Sequence, residues 1–215
     1  MVATEYNDEQ RSTEWHNSRA GRATASKFNT IIVGGVGAET YKAELVGERI
    51  GGYVTETFQS AAMRDGTERE EIARLKYELR TGNRVKESGF FAHNEIMAGA
   101  SPDGLVNDDG LIEIKSPIEK THLATLHTQK IPNQYYWQMM GQMWMTGRSW
   151  CDYVSYHPKF GDASLFIKRV PRDEDEIAKL EKAVVDFLHK VEIEEQFIKQ
   201  YSGKGDGVIV TRVSK

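Results

Sequence analysis

The chain predicts an α/β fold, a central mixed β-sheet flanked by helices in a single domain of 215 residues. Three observations lead there. Helical spacing of apolar residues fills most of the first eighty positions, short apolar runs broken by turn residues follow, and helices return after residue 119. No internal repeat, low-complexity tract or Pro/Ser-rich linker divides the chain.

Taken in order, residues 10–32 predict two short helical pieces. The second opens at Thr24 or Ser26 and carries Phe28, Ile31 and Ile32. Gly34 to Gly37 reads as a loop rather than a phosphate cradle, since no strand precedes it and no Lys-Ser/Thr follows. A helix from about Thr40 to Phe58 bears Tyr41, Leu45, Ile50, Val54 and Phe58 on one face, with Gly51-Gly52 as its weak point. A second helix covers 67–81, where Glu70 and Arg74 fall at a favourable i,i+4 spacing. Strands are predicted at 84–92, 95–99, 103–106 and 111–115. Helices follow over 119–129 and from Pro132, in a first turn, to Thr146. Strands at Trp150–Tyr156 and Ser164–Val170 lead to a closing helix from Asp173 to about Tyr201, and Lys204–Lys215 reads as a frayed tail. Tyr135, Tyr136, Trp137, Trp144 and Trp150, among Met139, Met140, Met143 and Met145, predict a core face rather than a base-stacking platform. His93, His122, His127 and His157 lack metal-binding spacing and read as surface or packing residues.

Composition excludes several classes. No apolar run approaches the ~18–20 residues needed to cross a bilayer. The polar N-terminus lacks a secretory signal, so cytoplasm is the expected compartment. One cysteine, Cys151, excludes internal disulfides and a thiolate-held zinc or iron–sulfur centre. A net charge of −4 excludes a protein that coats nucleic acid by bulk electrostatics, so contact with DNA would need a local basic pocket or channel.

The most informative stretch runs from Ser101 to Pro117, SPDGLVNDDGLIEIKSP. Asp103 follows a proline, and ten positions on Glu113 and Lys115 alternate within an apolar strand. Period-two geometry sets those two on one face. Acids and a lysine beside such a strand cost several kcal/mol unless they are paired or hold a metal. Oxygen donors without cysteine select magnesium or manganese. Asp-Gly turns and a Glu/Lys pair occur in ordinary hairpins as well. The combination of proline, Asp, hairpin and Glu-x-Lys points instead to metal-assisted phosphodiester hydrolysis.

Five separated blocks carry a family resemblance. They are Trp15 to Ser26 (WHNSRAGRATAS), Gly66 to Glu70 leading to Thr81-Gly82, Ala100 to Gly104, Glu113 to Lys115, and Tyr135 to Trp144. The chain resembles the lambda-type phage alkaline exonucleases, the YqaJ-like viral recombinase family within the restriction-endonuclease-like nucleases. The resemblance runs from Trp15 to about Pro158. It implies a restriction-endonuclease-like core in a single nuclease domain, with an N-terminal segment (1–60) binding a 5′-phosphate, a catalytic sheet core (64–170) and a C-terminal helix (173–201). Helical phase alone leaves Glu68, Glu70 and Glu71 open, and the family register selects Glu70.

The resemblance implies two magnesium ions, replaceable by manganese, held by Asp103, Glu113, the Ile114 carbonyl and Glu70. Lys115 would orient the attacking water and Gln138 would stand beside the site. Arg19, Ser26 and Ser101 would bind the 5′-phosphate. Thr121 stands where relatives can carry a second pocket arginine, leaving Lys120 and His122 as neighbouring groups to complete it. A ring-shaped homotrimer acting on double-stranded DNA ends, with a single-strand annealing protein as partner, completes what the family implies. A restriction-type or structure-specific endonuclease of the same superfamily is the alternative.

Overall fold

The computed structural model describes residues 2–52 and 61–202. In chain order the elements are β1 (Ala3–Tyr6), α1 (Thr13–Arg19), β2 (Ala23–Thr24), α2 (Phe28–Val33), α3 (Gly35–Gly51) and α4 (Ala61–Thr81). Then come β3 (Val85–Lys86), β4 (Phe90–His93), β5 (Ala98–Ala100), β6 (Gly104–Val106) and β7 (Gly110–Lys115). The chain continues with α5 (Glu119–Thr128), α6 (Asn133–Thr146), β8 (Trp150–Tyr156), β9 (Leu165–Pro171) and α7 (Glu174–Ser202).

The expected mixed sheet has the order β3-β6-β7-β8-β9, with the Glu-x-Lys strand β7 at its centre. β7 runs antiparallel to β6, with Gly104 opposite Ile112, and parallel to β8, with Glu113 opposite Tyr153. A parallel pair needs a crossover, supplied here by α5 and α6. Alternation sorts the side chains of β7 into two layers. Ile112 and Ile114 pack with Ala73 and Tyr77 of α4, whereas Leu111 joins Met139, Met143 and Tyr153 on the opposite side. Glu113 and Lys115 share the parity of Leu111 and so face the α6 layer.

A second sheet, β1-β4-β5-β2, was not expected. The predicted strand over 84–92 divides: β3 enters the first sheet and β4 the second, with Glu87, Ser88 and Gly89 between them. β1 pairs with β4 antiparallel and β2 with β5 parallel. Gly99 admits that packing, because a Cβ there would lie 2.6 Å from the Phe91 carbonyl oxygen and 2.2 Å from the Phe90 ring.

Several boundaries also differ, among them the start of α4 at Ala61 rather than 67 and the shift of the strand expected at 95–99 to Ala98–Ala100. Gly34 to Gly37 is not a loop: Gly34 and Gly35, at φ 73° and 68°, turn the chain directly from α2 into α3. α3 stops at Gly51 with Gly52 left-handed, and the expected continuation through Val54 to Phe58 lies outside the described residues, as does the predicted tail. Pro132 is the residue before α6 rather than within its first turn. The Met face of α6 and Trp144 are buried as core, and Tyr135, Tyr136 and Trp137 pack partly buried against it.

A polar network fastens α4 to the sheet. The Tyr77 hydroxyl donates to Asp152 Oδ2 at 2.7 Å, and Arg169 donates to both Asp152 oxygens at 2.8 and 2.9 Å. Asp152 is buried, so its loss leaves the Tyr77 hydroxyl hydrogen without an acceptor, although Asn83 still donates to that oxygen, while the half-exposed Arg169 can turn to water. Asp152→Ala should therefore destabilise the fold by roughly 1–3 kcal/mol. A urea midpoint equal to the parent's would show that the network does not anchor α4.

Candidate active site

Glu113 is fully buried, and its charge is satisfied from three directions. Gln138 Nε2 donates to Oε1 at 2.7 Å, Gln142 Nε2 donates to Oε2 at 2.5 Å, and Lys115 forms an ion pair with Oε1. The two glutamines stand one turn apart on α6, so a single helix face aims both amides at one carboxylate. Gln138 was expected beside the site and Gln142 was not. The available signal was a second amide at i+4 on a helix face otherwise filled by methionine. Gln142→Leu removes one donor from a buried carboxylate and should cost roughly 1–3 kcal/mol. Thermal unfolding of the variant tests this, and an unchanged midpoint would show the amide to be dispensable.

Asp103 lies at the mouth of the hairpin that leads into β7. Its Oδ2 accepts the Ile114 N–H at 2.6 Å. β6 begins only at Gly104, opposite Ile112, so the edge of β7 beyond that point lacks a strand partner. In extended backbone the N–H and C=O of one residue leave by the same edge, which turns the Ile114 carbonyl toward Asp103 as well. Burial pushes the Asp103 carboxyl well above the usual range, and the negative charges of Glu113 and Glu70 push it further; Lys115 and the Ile114 N–H oppose them. Burial draws the Lys115 ammonium down, but Glu113 and Asp103 outweigh it and hold the lysine charged, with its pKa above the ordinary value. The ring of Tyr135 lies 5.0 Å from the same nitrogen.

Glu70 reaches this cluster from α4. It borders a cleft of about 490 Å³ together with Asp103, and Arg11 donates to its Oε2 at 2.8 Å. The structure thus gathers Asp103, Glu113, Lys115 and Gln138, with Glu70 near enough to influence Asp103.

Beside this cluster sits a cationic pocket. Arg19, at the end of α1, lies over the Trp15 ring at 3.9 Å and donates to Ser101 Oγ at 3.2 Å. Trp15 Nε1 donates to the same oxygen at 3.0 Å, so both acceptor sites of Ser101 are used and its hydroxyl hydrogen is left to donate outward. Burial draws the Arg19 pKa down to about 10. No ion pair forms at this guanidinium among the described residues. Thr24 of β2 is opposite Gly99 of β5 in parallel register, so Ser26 and Ser101 leave the sheet at the same end. Ser26 is exposed there, with Oγ 3.3 Å from Thr24 Oγ1. A half-buried guanidinium whose hydrogen-bond partner is a hydroxyl rather than a carboxylate is suited to an anion.

The pocket-completing role left to His122 is not available. Its ring is buried, with Nδ1 2.8 Å from Ser155 Oγ and Nε2 3.0 Å from the Ala163 carbonyl oxygen. The first turn of α5 directs position 122 inward onto β8, while Lys120 is exposed. His157 is likewise buried, a packing residue beside Phe160.

The donors gathered around Asp103 are carboxylate and carbonyl oxygens, with no thiolate or imidazole among them. Such a set fits magnesium or manganese. Among the described residues no three acidic, histidine or cysteine groups stand ready as a metal cage. Glu113 is instead paired with Lys115, and Glu70 with Arg11. No helix among the described residues is long and apolar enough to cross a membrane.

Known proteins share this fold. The crystal structure of LHK-Exo in complex with dAMP is 41% identical, with a TM-score of 0.86 over 90% of this chain and 99% of that one. A second structure of this alkaline exonuclease from Laribacter hongkongensis gives 0.85 at the same identity and coverage. A phage-related exonuclease from Haemophilus somnus 129PT, at 16% identity and a TM-score of 0.62 over 84% of this chain and 96% of that one, shares the fold. No curated protein matches. The YqaJ-like viral recombinase domain matches residues 14–149, a span that holds Arg19, Ser26, Glu70, Ser101, Asp103, Glu113, Lys115 and Gln138. With that span and the LHK-Exo likeness together, the chain belongs to the YqaJ-like viral recombinase family.

Proposed function

We propose that this protein is a magnesium-dependent 5′→3′ exonuclease. It digests one strand of linear double-stranded DNA from a 5′-phosphorylated end, releases 5′-mononucleotides and leaves a 3′ overhang for recombination. One observation carries this reading: a half-buried guanidinium with no ion pair among the described residues lies two residues' reach from the acid cluster. Ser101 of the pocket and Asp103 of the cluster are separated only by Pro102, so their Cα atoms are at most ~7 Å apart. That is on the scale of one nucleotide of backbone. A terminal phosphate on Arg19, Ser26 and Ser101 would set the next phosphodiester against Asp103. LHK-Exo, the 41% identical relative, is an alkaline exonuclease and binds dAMP, a single nucleotide.

Asp103, Glu113 and the Ile114 carbonyl would hold one divalent ion, and Glu70 would help to hold a second. Bound there, such ions lower the pKa of a water and offset charge on the phosphate. Lys115, kept protonated by its two carboxylates, would orient the attacking water and stabilise charge developing on the phosphoryl oxygens. Gln138 and Gln142 fix the rotamer of Glu113. Arg19 and the serines fix the distance of the cut from the end.

The test compares linear 5′-phosphorylated, linear 5′-hydroxyl and closed circular duplex, with and without Mg²⁺. Magnesium-dependent release of mononucleotides, fastest from the phosphorylated end, is expected. Cutting of the circle would favour the restriction-type endonuclease. The family also leads us to assign a toroidal homotrimer, a single-strand annealing protein as partner and a cytoplasmic setting. Light scattering that returned a monomer mass at micromolar concentration would remove the ring.

A further inference from the structure

The segment before α1 crosses the mouth of the cleft and places one cation against the acids. Gln10 Nε2 donates to the carbonyl oxygens of Ser88 and Pro102, each at 2.8 Å, which ties the segment to the loop carrying Asp103. Ser12 then caps α1, accepting the Trp15 N–H at 3.1 Å. Between these two anchors Arg11 takes φ 74°, a left-handed conformation that costs a non-glycine residue energy. The strained turn brings its guanidinium 2.8 Å from Glu70. The charged residues that also line the cleft are Asp8, Glu9, Glu71, Glu87 and Asp103, with one further arginine, Arg74, which is paired with Glu87. Arg11 remains 43% exposed while Glu70 is 18% exposed, so the guanidinium can leave for solvent or for a phosphate and the carboxylate stays.

We propose that Arg11 is a resident counter-cation of the Glu70 carboxylate, a positioning residue that competes directly with a divalent ion for that ligand. This rests on the reading of Glu70 as a metal-holding residue. While paired, the guanidinium relieves repulsion among Glu70, Asp103 and Glu113. An ion entering beside Glu70 must displace it, and a DNA phosphate at the cleft mouth offers the guanidinium a new partner. DNA and metal then assist each other's binding through one side chain, and linkage makes that assistance reciprocal.

The experiment is a calorimetric titration of Mn²⁺ into the full-length protein, without DNA, for the parent, Arg11→Gln, Glu70→Gln and the double variant. Loss of the competing ion pair should tighten Mn²⁺ binding by roughly two- to fivefold in Arg11→Gln. The same change in the Glu70→Gln background should have no effect. Unchanged or weaker binding in Arg11→Gln would overturn the proposal. Equal tightening in both backgrounds would also overturn it, because general charge rather than this pair would then be responsible. A parent that takes up no Mn²⁺ would instead remove the metal-dependent reading itself, and this inference with it. Circular dichroism of each variant confirms that folded proteins are being compared.

Discussion

Replacing Asp103 with asparagine should reduce cleavage of linear duplex by roughly 10²–10⁴-fold or more, while leaving the metal-free protein at least as stable as the parent. The activity is lost because a neutral amide is a poor ligand for a hard divalent ion. The stability follows from the same geometry read in the opposite direction. Burial, Glu113 and Glu70 all raise the Asp103 pKa in the folded protein. An unfolded aspartate titrates near about 3.9. Between that value and the raised folded pKa the native state binds more protons than the unfolded state, so stability falls as pH rises through the window. The contribution is fully present below about pH 4 and is lost above the folded pKa. Asparagine does not titrate, and its side-chain oxygen can still accept the Ile114 N–H. Thermal midpoints in chelator should fall more steeply with rising pH for the parent than for Asp103→Asn. An Asp103→Asn protein that cuts at the parental rate, or that unfolds more readily at pH 8 in chelator, contradicts the site as described.

Arg19→Met should abolish discrimination between 5′-phosphorylated and 5′-hydroxyl ends. The Arg19 guanidinium is half-buried and packs on the Trp15 ring, with Phe90 also near, and Ser101 is its hydrogen-bond acceptor. Burial lowers its pKa to about 10, a displacement that an enclosed carboxylate partner would reverse. A phosphate entering there gains a charge-assisted bond that a hydroxyl end cannot make. Such a bond is worth roughly 1.5–3 kcal/mol, or about 10- to 150-fold in relative kcat/KM. Methionine keeps most of the apolar stem that packs on Trp15 and removes the charge, so folding should be retained. Equal preference for phosphorylated ends in parent and variant would show that Arg19 is structural. The two variants separate the roles, because Asp103→Asn should still bind a phosphorylated end while Arg19→Met should still cut, without choosing its end.

Local patterns made much of this molecule legible. β8 has the limits expected of it, Trp150–Tyr156, because an apolar run bounded by turns needs nothing distant to define it. The parity of Glu113 and Lys115 in β7 followed from strand geometry alone, and the family blocks named the residues that the structure gathers around them. Histidine 122 was different. Its sequence context left surface, packing and pocket roles open, and the docking of α5 on β8 makes it a packing residue against Ser155 and the Ala163 carbonyl.

The amino-acid order by itself determined the class of fold, the Glu-x-Lys strand and the oxygen-rich character of the site, since each depends on periodicity or on residue type. Tertiary structure alone decided the second sheet. Strands were expected near β4 and β5, but β1 and β2 are short and carry no local period, and β1 finds β4 across nearly ninety residues. The same holds for Gln142 on Glu113 and for Arg11 on Glu70, a contact spanning 59 positions. A charge's partner is chosen by what packing brings within a few ångströms, and that choice exists only once the layers have closed.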